Sequence, residues 1–161
     1  MLIRRATGAD AKTIAALWNP YIRDTAVTFN PLEKTAGDVA QMIADHDRRG
    51  HATFVAVDGG LLGFATYAQF RAGAGYATCM EHSILLAPPA RGRGVGRGLM
   101  TALCDHAAAA GAHQMIAGIS AENLDGLAFH ARMGFASLSR VPQAGFKFGR
   151  FIDLVLMQKF L

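Results

Sequence analysis

The chain has only two cysteines, one tryptophan and five prolines among its 161 residues. No apolar run approaches the roughly 18 residues that a membrane-spanning helix needs. Each scarcity excludes something. Cys79 and Cys104 cannot build a disulfide framework and neither stands in a Cys-x-x-Cys motif, which points to a reducing, cytoplasmic setting. Charged residues make up 17% beside 52% hydrophobic content, too few for a disordered chain. Sixteen Lys and Arg against twelve Asp and Glu give a net charge of +4, a mild excess that favours anionic ligands without arguing for nucleic acid. His46, His51, His106 and His113 are scattered and lack ligand spacing, so no metal is expected. Met1-Leu2-Ile3-Arg4-Arg5 turns polar too soon for a secretory segment. With no repeat and no linker-like stretch, residues 1–161 read as one domain that does not associate with a membrane.

The apolar periodicity predicts the elements. Leu2-Ile3-Arg4 is a short strand candidate. Thr7 and Asp10 form a capping-box-like pair ahead of Ile14, Leu17 and Trp18, and the first helix is expected to run to about Trp18, before Pro20. A second helix fits Thr35 to His46, with Val39, Met42 and Ile43 on one face. Thr53 to Val57 and Leu61 to Tyr67 flank Asp58-Gly59-Gly60, a hairpin signal. Tyr76 to Leu86 reads as a strand ended by Pro88-Pro89. A helical stripe of Val95, Leu99, Leu103 and Ala107 stops at Gly111. Met115 to Ile119 is a strand, and Leu124, Leu127, Ala128 and Ala131 make a short helical face stopped by Gly134. Phe146 to Met157 reads as a last strand. Hairpins first, then alternating strands and helices, predict an α/β fold with a mixed sheet and helices on its faces.

Between the Tyr76–Leu86 strand and the next helix runs Arg91-Gly92-Arg93-Gly94-Val95-Gly96-Arg97-Gly98. Glycine lets main-chain N–H groups turn toward an anion without a Cβ in the way, and the helix start adds its positive dipole end. With three interleaved arginines, this reads as a pyrophosphate cradle; a plain loop entering an amphipathic helix is the competing reading. It is not a P-loop, because Gly98 is followed by Leu99 rather than by Lys and Ser or Thr. It is not a dinucleotide turn either: the spacing is G-x-G-x-G-x-G, mid-chain, with no acid at the required offset.

Arg91-Gly92-Arg93-Gly94-Val95-Gly96 resembles the R/Q-x-x-G-x-G/A motif of the GNAT acyltransferases (Gcn5-related N-acetyltransferases). Asn123 and the segment Phe129 to Phe135, ending Met133-Gly134-Phe135, resemble that family's next motif. Three further segments are similar to its phosphinothricin and methionine sulfoximine N-acetyltransferase branch: Thr25 to Phe29, Glu81-His82-Ser83-Ile84, and Gly145 to Asp153. The chain departs from that branch at Leu85, where tyrosine is common, and at Phe151, where tryptophan is. The resemblance implies a mostly antiparallel mixed sheet with helices on both faces and a splayed strand pair at the cofactor site. It implies acetyl-CoA as donor, a small amino acid-like amine as acceptor, direct transfer in a ternary complex, no metal, no nucleic acid and a homodimer.

It also assigns candidate residues. Arg91, Gly92, Arg93, Gly94, Val95, Gly96 and Arg97 would hold the diphosphate, Asn123 would line the donor site, and main-chain groups near Leu85 and Leu86 would bind the pantetheine arm and the thioester oxygen. Acetyl transfer requires the amine to lose a proton and the leaving thiolate to gain one. Glu81, the only carboxylate from Gly73 to Ser83, is the candidate base or an electrostatic partner of the ammonium. His130 is the candidate thiolate acid, with a structural helix histidine as the alternative. His82, next to Glu81, should face the other side of the sheet and reads as a satisfied core histidine. On the acceptor side, Arg71 matches an arginine that meets a substrate carboxylate. Phe29 and Tyr76 are candidate apolar walls or core residues. Lys147 is a buried-stem cation near the pocket or a snorkelling strand lysine. Asp153 is expected to pair with a basic partner. Protein N-terminal or polyamine acetylation, and a non-catalytic CoA-binding sensor, remain alternatives.

Overall fold

Caps place the first helices. In the computed structural model, which describes residues 1–161, the first strand is β1 (Leu2–Arg5) and the first helix α1 (Ala11–Asp24). Between them the Thr7 N–H donates to Asp10 Oδ2 at 2.8 Å, as the spacing predicts. Thr35 and Asp38 cap α2 (Ala36–Arg48) reciprocally, at 2.8 and 3.0 Å. α1 does not stop before Pro20; the proline lies inside it. Losing one helical hydrogen bond is offset by anchors beyond the proline: Ile22 is fully buried, and Tyr21 Oη donates to Leu86 O.

Asp10 also ties α1 to β1. Arg4 donates to both of its oxygens, at 2.8 and 2.9 Å. That guanidinium, helped by the Thr7 amide, holds the Asp10 carboxyl down at about 2. A carboxylate with a depressed folded pKa stabilises the fold above its unfolded value of about 3.9 and loses that contribution as pH falls through about 2. Asp10→Asn is expected to cost about 1–2 kcal/mol at pH 7, with the gap from the parent closing near pH 2. Thermal melts across that range check it; equal melting temperatures at pH 7 would refute it.

The remaining elements are β2 (Thr53–Val57), β3 (Leu61–Gln69), β4 (Cys79–Leu86), α3 (Val95–Ala109), β5 (Gln114–Ser120), α4 (Leu124–Arg132), β6 (Ala136–Lys147) and β7 (Arg150–Phe160). Seven strands form one sheet in the order β1-β2-β3-β4-β5-β7-β6. Every pair is antiparallel except β4–β5. Helices cover both faces, each over its own core. Val55, Phe64 and Leu85 pack with Ile14, Val39 and Ile43 of α1 and α2. Ala56, Ala65, Met80 and Met115 pack with Leu99, Met100 and Leu103 of α3 on the other face. Neighbours such as Phe64 and Ala65 thus serve opposite cores, the period-two alternation of a sheet buried on both sides. No helix is long and apolar enough to cross a membrane.

Two strand expectations need correction. β4 starts at Cys79, because Ala74–Tyr76 is a turn of 3-10 helix. The run Phe146 to Met157 is not one strand but the meeting of two. Lys147 pairs with Arg150, and Phe148 (φ 54°) and Gly149 (φ 72°) form the two-residue loop between them. Two consecutive positive φ values match the twist of a tight hairpin.

Candidate active site

The site begins where two strands part. β4 and β5 pair at three rungs only, Cys79 with Gln114, Met80 with Met115 and Glu81 with Ile116. Beyond Glu81, β4 stays with β3 as far as Leu86 and β5 stays with β7 as far as Ser120, so the two diverge. Phe70 N–H donates to Cys79 O and Ala87 N–H to Leu62 O, which puts the odd-numbered residues of β4 in the ladder with β3. The main-chain groups of Ile84 and Leu86 therefore face the opening. Tyr21 Oη donates to the Leu86 carbonyl there, at 2.7 Å, and the Leu86 N–H points the same way.

Two cavities meet in this opening. One of about 190 Å³ lies between the parted strands, walled by Trp18, Phe29, Ser83, Gly118, Ser120 and His130. The other, about 310 Å³, continues toward α3 along Leu86, Arg91, Gly92, Asn123, Phe129 and His130. Leu85 borders both, while its side chain is buried toward α1 and α2. Asn123 caps α4, its Oδ1 accepting the Gly126 N–H at 2.9 Å.

The glycine turn divides its labour. Gly92 (φ 74°) and Gly94 (φ 76°) hold the left-handed conformation that shapes the bend. Val95, Gly96 and Arg97 precede the first helical hydrogen bond, from Gly98 N–H to Gly94 O, so their amides are open at the start of α3. Gly96 and Gly98 have a packing task as well. A Cβ on Gly96 would lie 3.1 Å from the Phe129 ring, and one on Gly98 would lie 2.4 Å from Ile3 Cδ1; both let α3 pack closely. The arginines divide too. Arg91 lines the larger cavity, whereas Arg93 is paired with Asp58 at 2.8 Å and Arg97 lines neither cavity.

Side chains approach the cleft from both faces. Glu81 lines neither cavity; it shares the α1/α2 side with Leu85 and lies in an adjoining hollow of about 260 Å³, beside Trp18, His46 and Gln69. Its Oε1 lies 3.1 Å from the point a Cβ on Gly118 would occupy, so glycine in β5 makes room for the carboxylate. Burial raises the Glu81 pKa. His130 approaches from the α4 side, its Nδ1 2.7 Å from the Gly126 carbonyl. A carbonyl only accepts, so Nδ1 carries the hydrogen and Nε2 is the acceptor. That Nε2 lies 3.2 Å from Nε2 of His82, in rings stacked 5.0 Å apart. Burial pushes His82 down to about 3 and also lowers His130, so both rings are neutral at pH 7. His82 is buried on the face opposite Glu81, but it is not the satisfied core residue expected: its Nδ1 has no partner.

The strap from Thr25 to Phe29 forms the outer wall. Phe29 lines the inter-strand cavity and lies against Gly145, where a Cβ would be 2.4 Å from the ring. Lys147 lines neither cavity. Its ammonium donates to Thr25 O at 2.6 Å and Thr28 O at 2.7 Å, so the strap consumes the charge expected to meet the acceptor. Arg71 and Tyr76 also stand outside the cavity linings; the guanidinium stacks on the Tyr76 ring at 5.4 Å in the β3–β4 loop. Asp153 accepts from Arg140 Nε at 2.7 Å, the basic partner expected.

Residues 14–135 match the Acetyltransferase (GNAT) family. The chain belongs to that family. An L-methionine sulfoximine/L-methionine sulfone acetyltransferase of Pseudomonas aeruginosa is 37% identical over 97% of this chain and 92% of its own length. A solved ribosomal-protein-alanine N-acetyltransferase of Brucella melitensis superposes with a TM-score of 0.96 at 36% identity, covering both chains entirely. A GNAT superfamily phosphinothricin acetyltransferase of Sinorhizobium meliloti, solved with acetyl-CoA, gives 0.94 at 30% identity over 99% of this chain and 88% of that one. This GNAT chain is an N-acetyltransferase.

Several residues that build the GNAT site carried no motif. Trp18 reads as helix core, yet it walls the cavity. Tyr21, which fills the Leu86 carbonyl, sits beyond the proline thought to end its helix. Gly118 had a usable signal: a glycine inside an apolar strand marks a close approach.

Proposed function

We propose that this GNAT enzyme transfers the acetyl group of acetyl-CoA to the amine of a small amino acid of the methionine sulfoximine or phosphinothricin type, by direct attack in a ternary complex. The observation that carries the reading is the junction: the two cavities share Val27, Ile84, Leu85, Asn123 and His130, so a donor and an acceptor can meet between β4 and β5. The open amides of Val95, Gly96 and Arg97 and the Arg91 guanidinium hold the diphosphate. The Leu86 N–H stabilises the thioester oxygen as charge builds on it. Glu81 draws the proton from the attacking amine. As the N–C bond forms and the C–S bond breaks, CoA leaves as the thiolate and takes a proton from solvent, because the one hydrogen of the neutral His130 is held on Nδ1 by the Gly126 carbonyl. Free Cys79 and Cys104 support a cytoplasmic setting. A second copy of the chain covers the β6–β7 hairpin, where Phe146, Phe148 and Phe151 are more than half exposed; a single 17.1 kDa species in sedimentation at micromolar concentration would refute that dimer.

A thiol-release assay with acetyl-CoA tests the activity against methionine sulfoximine, phosphinothricin, common amino acids, polyamines and short peptides. Turnover is expected with the amino acid-type acceptors and not with polyamines. The Brucella structure's name favours one second reading, acetylation of a protein N-terminal alanine. Arg71 discriminates: if it meets an acceptor carboxylate, Arg71→Ala raises acceptor KM by about tenfold or more. An unaltered KM with turnover of an alanine-led peptide would favour the second reading.

A further inference from the structure

We propose that Lys147 is a positioning residue for acceptor selection: from the edge strand β6 it sets the place of the strap that walls the acceptor cavity. The inference rests on the reading of the inter-strand cavity as the acceptor site.

Lys147 is 4% exposed, yet no carboxylate pairs with it. A buried ammonium without a counter-ion is costly, so its hydrogen bonds must be worth keeping. Both go to main-chain oxygens of the strap, Thr25 O and Thr28 O. These two carbonyls converge on one point, and a lysine head with three hydrogens on a long flexible stem can serve both. The ammonium also lies 5.1 Å from the centroid of the Phe148 ring, which the positive-φ hairpin loop presents to it.

The strap has a second hold on the same strand. Gly145 precedes Lys147 by two residues, on the same face of β6, and lies against the Phe29 ring. Thr25 Oγ1 donates to Tyr21 O and accepts from Val27 N–H, closing the end nearer α1. Between these holds lie Val27, Thr28 and Phe29, all three on the inter-strand cavity. The distance from that wall to β4 and β5 is therefore set by β6, which contributes no side chain to the cavity. A wall held at fixed distance discriminates acceptors by size; a loosened one admits larger side chains.

The test is the ratio of kcat/KM values for two acceptors, because that ratio does not depend on how much enzyme is folded. Wild type, Lys147→Met and Gly145→Ala are assayed with the amino acid the wild type turns over best and with a bulkier amino acid. In Lys147→Met, which keeps the length of the stem and removes the donors, KM for the preferred acceptor should rise about tenfold. The preference over the bulkier acceptor should fall by a similar factor. The acetyl-CoA Kd should stay within about fivefold. Gly145→Ala, whose new Cβ meets the Phe29 ring, should shift the same ratio, and it reports on the strap if Lys147→Met does not fold. A ratio equal to wild type in every variant that folds would overturn the proposal. Wild-type protein inactive with every amino acid would instead overturn the reading of the acceptor site.

Discussion

Glu81→Gln is expected to lower kcat/KM by about 10²- to 10³-fold at pH 7 while raising the melting temperature. The two effects have one cause. The carboxylate sits beside Trp18 and His46 and against Gly118, in the hollow next to the inter-strand cavity, and burial raises its pKa. A raised folded pKa means the folded protein prefers the protonated form. The stability this gives is fully present below the unfolded value of about 4.3 and is lost as pH rises through the folded value. At pH 7 the ionised group therefore costs stability, and glutamine removes that cost. The same shift brings the group closer to the operating pH, where a base is more effective. In the wild type, the acid limb of kcat/KM should lie above the ordinary carboxylate range, and it should vanish in Glu81→Gln. Full activity in the variant would remove Glu81 from the chemistry. A reduced rate with the limb still in place would make Glu81 an electrostatic partner of the ammonium.

How much of this was legible in the sequence depended on whether each feature is a property of residues or of relations between strands. Phe29, Asn123, His130 and Gly92 lie in recognisable local patterns, and the structure brings them to the joined cavities, with Glu81 in the hollow next to them. The cleft itself left no mark. It exists because β4 and β5 stop pairing after Glu81 while each keeps its outer partner, and a missing pairing has no composition. β6 escaped for a related reason: residues 136–144 are all exposed, so no buried face imposed an alternation that could be read. The Lys147 bonds to the strap span 119 and 122 residues of chain, beyond any local pattern. His82 was misjudged because its face could be derived from strand geometry but its neighbour could not. Only packing α4 onto the sheet sets His130 against it. The four glycines looked equivalent at spacing two, but only the fold separates Gly92 and Gly94, which need positive φ, from Gly96 and Gly98, which need room.

That division makes the donor site testable with a matched control. Gly94→Val is expected to weaken acetyl-CoA binding by about 100-fold, whereas Gly59→Val should leave it within about threefold. Both positions have a similar left-handed backbone, φ 76° and 69°, and at both a Cβ would meet nothing within 4 Å. A β-branched residue there is strained by about 1–2 kcal/mol in either case, so the two variants should lose similar stability. They differ in what the relaxation moves. At Gly59 it moves the β2–β3 turn. At Gly94, the residue just before α3, it rotates the peptides whose open amides start that helix. Losing two hydrogen bonds to a charged diphosphate, at about 1.5–3 kcal/mol each, accounts for a loss of that size. Calorimetric titration with acetyl-CoA, with thermal melts on the same samples, separates lost grip from lost fold. If Gly94→Val binds as tightly as Gly59→Val, the diphosphate is held elsewhere and the role assigned to this turn fails.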